Sequence, residues 1–437
     1  MAHSGHEDRP FGLQVRNPVD RPPVSLIIDD STTLVNMAYY GIPQFAEVFP
    51  DRYRQPWRRL PREIPDTFVQ EFAAYCREHG VKGKYSIVPY PACTGWVDRF
   101  IPGWTKKELE RSLALVRETM QPDWDIHPEM ISHTRAIDVS SGRPFPEPTA
   151  AFMENWGFSQ TKSAAELTEY MSYALRILRN AGLSCSGITT PGGFGSENRE
   201  NLAKATAWSV GEVFGEPLTH YFRDVFTDTD RSVAPVVQYP SDLAGETPSC
   251  VVHIIGCTGD WFGGWDGLTP GSADRFITAD LSAGRMVDVL EAQEPAIMVC
   301  HWPGIYYNGE KLGLRIFQEV VRRLEARYGV LNWMKLSDIA RYWAARELTS
   351  FSATDVGLRV KAPFASTAFT VEVRRSDFAG APPQPRVVHE GKTRLLERVE
   401  APAHLSANTW CAREDRLVLC FDLPKGSSEL RIQAHEE

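Results

Sequence analysis

The sequence has no apolar run long enough to span a bilayer, and Met1 to Pro23 is polar, without the apolar stretch a secretory signal needs. The expectation is a cytoplasmic chain with no membrane partner. It has no CxxC spacing: Cys76, Cys93, Cys185, Cys250, Cys257, Cys300, Cys411 and Cys420 are scattered, several within apolar runs. They read as reduced core thiols, with a Cys411–Cys420 bridge as the alternative for an oxidising compartment. Blocks of like charge are also missing. A net charge of -9 spread over interspersed acids and bases gives no electrostatic reason to expect nucleic acid as a partner. No glycine-rich phosphate loop follows the first apolar run, where Asp29-Asp30-Ser-Thr-Thr stands instead. Pro191-Gly-Gly-Phe-Gly195 lacks the lysine and serine of a nucleotide loop and reads as a strained turn.

What the chain does have is ordinary globular composition, 43% hydrophobic and 24% charged, over 437 residues. That length exceeds what one core usually serves. Val24 to Ile28 is a β-branched apolar run too short for a helix. Similar runs recur at Lys84 to Val88, Glu129 to Ser132, Ser186 to Thr189, Cys250 to Ile255, Ala296 to Cys300 and Val330 to Met334. Helical segments alternate with them. Thr105-Lys-Lys-Glu108 and Ser163-Ala-Ala-Glu166 fit the capping box, each followed by apolar residues at helical spacing. Further helices are expected near Asp66 to His79, Ser196 to Val213, Ala273 to Ala292, Leu314 to Tyr328 and Ser337 to Arg346. Such alternation implies parallel strands with helical crossovers, in a barrel or an open doubly wound sheet.

Residues 1–22 read as a flexible lead-in, 23–348 as the strand–helix domain, and 349–437 as a β-rich domain. The last shows short alternating runs such as Ala368 to Val373 and Arg416 to Phe421. It reads as a stabilising cap, with a carbohydrate-binding module as the alternative. Three segments, 31–62, 134–162 and 214–248, exceed ordinary loop lengths, and the first two are expected to overhang the mouth of the strand–helix domain.

In a parallel barrel the carboxyl ends of the strands converge on one pocket. They supply Asp29 and Asp30, then Tyr90, His133 with Asp138 nearby, Thr189 and Pro191, Asp260 and Trp261, His301 and Trp302, and Lys335. Two adjacent carboxylates after a buried strand call for a metal cation or a basic partner. The plainer alternative has Asp30 capping a turn and Asp29 paired with a lysine. His301 is placed where an imidazole serves as acid or base. His253 reads as a satisfied core residue and Glu129 as the start of a strand. The aromatics Trp261, Phe262, Trp265, Trp302, Tyr306 and Tyr307 offer stacking faces for sugar rings or plug a barrel mouth.

This constellation resembles the polysaccharide deacetylases, carbohydrate esterase family four, over roughly residues 24–347. Ile27-Ile-Asp-Asp30 is similar to the family's Thr-Phe-Asp-Asp, which implies that Asp29 is the catalytic base and Asp30 a metal ligand. Ser132-His133-Thr134 is similar to the start of its metal motif, implying His133 as a ligand. The second histidine position holds Ile137, and Asp138 is the substitute within reach. Pro191 matches an Arg-x-Pro motif whose arginine, the residue that orients the base, is replaced by Thr189. Asp260-Trp261 resembles an Asp-Trp pair, and Met298-Val-Cys-His301 the terminal motif whose histidine is the catalytic acid. The resemblance implies a distorted (β/α)7 barrel and a divalent metal ion, most simply zinc. It also implies hydrolytic removal of an N- or O-acetyl group from a carbohydrate, with Tyr90, Thr189, Pro191, Asp260, Trp261, Trp302 and Lys335 lining the substrate site. The rival expectations are a glycoside hydrolase using two of Asp29, Asp30, Glu129 and Asp260, and a catalytically silent carbohydrate-binding barrel.

Overall fold

Seven short parallel strands carry the larger part of the chain. In the computed structural model, which describes residues 9–378 and 383–432, they are β1 (Pro23–Asp29), β2 (Gly83–Ser86), β3 (Trp124–His127), β4 (Gly187–Thr189), β5 (Leu218–Val225), β6 (Ser249–Gly256) and β7 (Ala296–His301). Along β1 the alternation of an extended chain sorts the side chains. Val24, Leu26 and Ile28 enter an apolar core with Phe68 and Phe72, and Ser25, Ile27 and Asp29 face the other way. The longer helices are α1 (Met37–Val48), α2 (Asp66–Glu78), α3 (Lys106–Leu115), α4 (Ala164–Asn180), α5 (Arg199–Phe214), α6 (Arg285–Glu291), α7 (Leu312–Tyr328) and α8 (Leu336–Leu348). Both expected capping boxes form, at the start of α3 and of α4.

The strands do not close into the expected barrel. They form two sheets, one in the order β7-β1-β2-β3 and one in the order β4-β5-β6 with Val236–Ser241 at its edge. Where β3 faces β4, the ladder is reduced to one parallel bridge, Glu129 to Thr189. Where β6 faces β7, the Cys257 amide donates to the Ile297 carbonyl at 2.8 Å, and the Thr258 hydroxyl takes the Val299 amide at 3.0 Å. The first joint has a covalent cause. Pro128 has no N–H to give, and Met130 adopts a left-handed backbone at φ 52°. Glu129 to Ser132 is therefore a bend, not the expected third strand, which lies just upstream as β3.

Other departures follow from tertiary context. Segment 31–62 contains α1, and segment 214–248 contains β5. The helix expected over Ala273 to Ala292 shortens to α6 and a separate turn at Ala273–Arg275. The strand expected over Val330 to Met334 shortens to Asn332–Trp333, beside β1.

The chain divides into a larger unit, Val24–Tyr239 with Cys250–Ala340, and a smaller one, Met1–Pro23 with Pro240–Ser249 and Arg341–Glu437. The smaller unit holds two five-stranded sheets, largely antiparallel. The segment expected to be a flexible lead-in adds an edge to one of them: Gln14–Val15 pairs with Ser366–Arg374. Residues 1–8 of that segment lie outside the described residues. Arg416–Leu423 is buried on both faces, with Cys411, Val418 and Cys420 clustered beneath Leu405. All eight cysteines are free thiols. Among the described residues no helix is long and apolar enough to cross a membrane.

Candidate metal centre at the strand ends

Asp30 leaves β1 in a left-handed backbone, φ 56°, and His133 stands in a second such kink at φ 64°. The two bends aim both side chains at one point. His133 Nε2 lies 2.7 Å from Asp30 Oδ1 and 3.2 Å from Glu129 Oε1, while Glu129 Oε2 accepts from the Asp30 amide at 2.8 Å. All three residues are buried. Despite the short approach, Asp30 Oδ1 has no hydrogen-bond donor in line with it. Three lone-pair atoms from three side chains thus converge within 4.8 Å of one another, which fits a divalent cation held by oxygen and imidazole nitrogen.

Burial opposes charge throughout this group. Even so, His133 between Asp30 and Glu129 is raised well above the ordinary histidine range, and Glu129 beside His133 is brought down to about 2. The loop carrying His133 is itself held from below. Glu154, fully buried, accepts the amides of Ile131 at 3.1 Å, Ser132 at 3.1 Å and His133 at 2.5 Å, and the Tyr170 hydroxyl at 2.5 Å. Burial pushes the Glu154 carboxyl up to about 7 against the pull of these donors.

Next to this group stand Asp29 and His301, partners in register on β1 and β7, so that their side chains share a face. Asp29 is paired with the ammonium of Lys84, which is completely buried and also donates to the Ile28 carbonyl at 3.0 Å and the Ser86 hydroxyl at 2.8 Å. Burial pushes Asp29 up to about 6, with Lys84 pulling the other way. A cation from β2 therefore holds the Asp29 carboxylate in place. On β7, His301 Nδ1 is 3.2 Å from Asp260 Oδ2. Burial disfavours the imidazolium, yet Asp260 raises His301 to about 10.

Several expected site residues lie elsewhere. Asp138 is on an exposed hairpin, its carboxylate taken by the Ser140 and Ser141 hydroxyls at 2.7 and 2.8 Å, and Glu129 stands in the position expected of it. Trp302 points away from His301 into the apolar core, against Phe68, Phe72 and Tyr85, and presents no face to a ligand. Thr189 is buried, 3.2 Å from His127 Nδ1, and Pro191 is buried too. Lys335 follows Met334, whose amide bonds Val24, so it sits at the opposite end of β1 from Asp29, about 16 Å away along the strand. Trp261 is nearly buried beneath Arg275. Tyr90 stays half-buried, stacked on Trp96 at 3.9 Å, and its amide bonds the Ile131 carbonyl beside the His133 bend.

The aromatic wall near His133 comes from other residues: Phe45 at 6.4 Å between ring centroids, then Trp156 and Trp265 against Phe45, and Tyr53 against both tryptophans. Of these, Trp265 was among the sequence candidates. Lys84, Glu154, Phe45, Tyr53 and Trp156 were not singled out from the sequence. For Lys84 the signal was present, because Lys84 and Ser86 alternate with apolar residues on a strand whose inward face is polar.

No protein-family model matches the sequence, and no curated protein does. Among solved structures the chain is similar to a probable polysaccharide deacetylase from Pseudomonas aeruginosa, 13% identical over 64% of this chain and 72% of that one, with a TM-score of 0.37. It is also similar to the catalytic domain of GH30 xylanase C from Talaromyces cellulolyticus, 9% identical over 97% and 100%, TM-score 0.28. A family 51 alpha-L-arabinofuranosidase from Bifidobacterium longum matches at 12% over 96% and 98%, TM-score 0.23. All three act in carbohydrate chemistry; similarity at this level assigns the chain to no family.

Proposed function

We propose that this protein is a metal-dependent hydrolase that removes an acyl group, N- or O-acetyl, from a carbohydrate. The observation that carries the reading is the placement of the Asp30, Glu129 and His133 group beside an in-register pair of opposite character, Asp29 and His301. A divalent cation held by Asp30, Glu129 and His133, most simply zinc, would supply Lewis-acid polarisation of the acyl carbonyl. Asp29, with a carboxyl near 6, is ionised at neutral pH and accepts a proton from the attacking water, and Lys84 fixes its direction. His301, kept protonated by Asp260, gives its proton to the departing sugar nitrogen or oxygen as the carbon–heteroatom bond breaks. The half-buried Tyr53, Trp156 and Trp265 offer faces on which a sugar ring stacks.

The test joins metal analysis of protein purified without chelator to acetate release from a panel of acetylated sugars. His133→Ala should lose metal at this centre. His301→Ala should lower turnover by about 10²- to 10⁴-fold, and less for substrates with good leaving groups, which need little proton assistance. Metal-loaded protein that releases no acetate, or that yields new reducing ends instead, would remove this reading.

A further inference from the structure

Deeper in the larger unit a second constellation lies outside the chemistry above. His127 ends β3, Gly187 begins β4 and His220 lies in β5. The Glu129–Thr189 bridge puts His127 opposite Gly187, and Gly187 is in register with His220. One row across three parallel strands therefore reads His, Gly, His, with all three residues on the same face. The two imidazoles meet over the glycine, His127 Nε2 to His220 Nε2 at 2.9 Å. The point that a Gly187 β-carbon would occupy is 2.6 Å from both nitrogens, so glycine alone leaves that space open. Asp125, two residues before His127 and on the same face, brings Oδ2 to 3.9 Å from His220 Nε2. All three side chains are buried, and their ligand atoms lie within 4.8 Å of one another.

We infer that Asp125, His127 and His220 form a second, wholly buried site for a divalent cation of zinc type, one that ties β3 to β5 across the joint between the two sheets. Two imidazoles and a carboxylate are a donor set that suits zinc. His127 and Asp125 have their outer partners in place. His127 Nδ1 lies 3.2 Å from the Thr189 hydroxyl, which as acceptor leaves Nε2 with its lone pair free for a cation. The Asp125 carboxylate is oriented by Ser337, whose amide and hydroxyl donate at 2.6 and 2.8 Å. The location gives the site a purpose, since the β3–β4 ladder is reduced to a single bridge here and a cation bound on either side of Gly187 would hold the sheets together. The competing arrangement is a hydrogen bond between two neutral imidazoles, one protonated at Nε2.

The experiment uses the full chain reconstituted with Zn²⁺ alone, in the wild type and in an Asp30→Asn/Glu129→Gln variant that disables the strand-end centre. Two equivalents in the wild type and one in the variant are expected, and the variant should melt at lower temperature once stripped by chelator. One equivalent in both proteins would support this site while refuting the other. Adding His220→Gln should abolish the remaining binding. Should that protein fail to fold, zinc-edge X-ray absorption on the Asp30→Asn/Glu129→Gln protein decides, with two imidazoles expected around the metal. A variant that retains no zinc, or holds it through oxygen alone, would overturn the inference and leave the histidines sharing a proton.

Discussion

The chemistry proposed for the strand ends rests on single side chains held in unusual ionisation states, His301 foremost. Its imidazolium survives burial because Asp260 stands 3.2 Å away, and the ring titrates near 10 rather than near 6.5. If His301 is the acid, activity is retained below that value and lost above it. Asp260→Asn should move the alkaline limb of the rate profile toward neutrality, which a kcat/KM profile against pH would read directly. The same linkage acts on folding. A pKa raised above its unfolded value contributes stability fully present below about pH 6.5 and lost as pH rises through about 10. Asp260→Asn should thus narrow the stability difference from wild type in alkaline buffer. A variant whose alkaline limb does not move would detach Asp260 from His301. These two residues were legible in the sequence because each follows a short apolar run. Trp302 is misplaced by the strand-end reading because the chain turns at His301 into a short helix, Trp302–Tyr306, whose first side chain packs into the core.

At the scale of the element, the bend after β3 shows where reading along the chain reaches its limit. Glu129 to Ser132 has the apolar character of a strand, but the amides of Ile131, Ser132 and His133 are taken by a carboxylate 21 to 23 residues downstream, which no local pattern announces. Asp138 looked like a ligand because it is close in sequence, whereas the left-handed turn at Met130 brings Glu129 forward and the hairpin carries Asp138 outward. The capping boxes of α3 and α4 were legible because their partners lie three residues apart. Glu154 offers a direct test of the bend. Glu154→Gln turns an amide NH₂ toward backbone N–H donors and should cost about 1–3 kcal/mol in urea unfolding, as a buried donor left unsatisfied does. Metal affinity at His133 should fall by about 10- to 100-fold. Unchanged metal affinity in that variant would show that the bend holds its shape without Glu154.

For the whole molecule, alternation of short strands and helices was enough to give a parallel α/β unit and a β-rich carboxyl-terminal region. Closure was beyond its reach, because a joint between sheets depends on one proline and one left-handed residue rather than on periodicity. The two clusters described above belong to the larger unit. Chelation should therefore speed hydrogen exchange at amides of β3, β4 and β5, with little change at Phe369 to Val373 or Leu417 to Phe421 in the smaller unit. Mass-resolved exchange with and without chelator makes the comparison within one sample. Equal acceleration in both units would mean that they open together.

The left-handed backbone at Asp30 also bears on how such a chain decays over generations. Aspartate and glycine codons differ by one base, and glycine is the residue that a φ of 56° suits best. One such base change would therefore relax the main chain and remove a buried carboxylate in the same step. Selection for folding alone would not oppose it. A lineage released from its substrate would keep a well-folded protein with an empty strand end, and glycine at this position would be the mark that catalysis had lapsed.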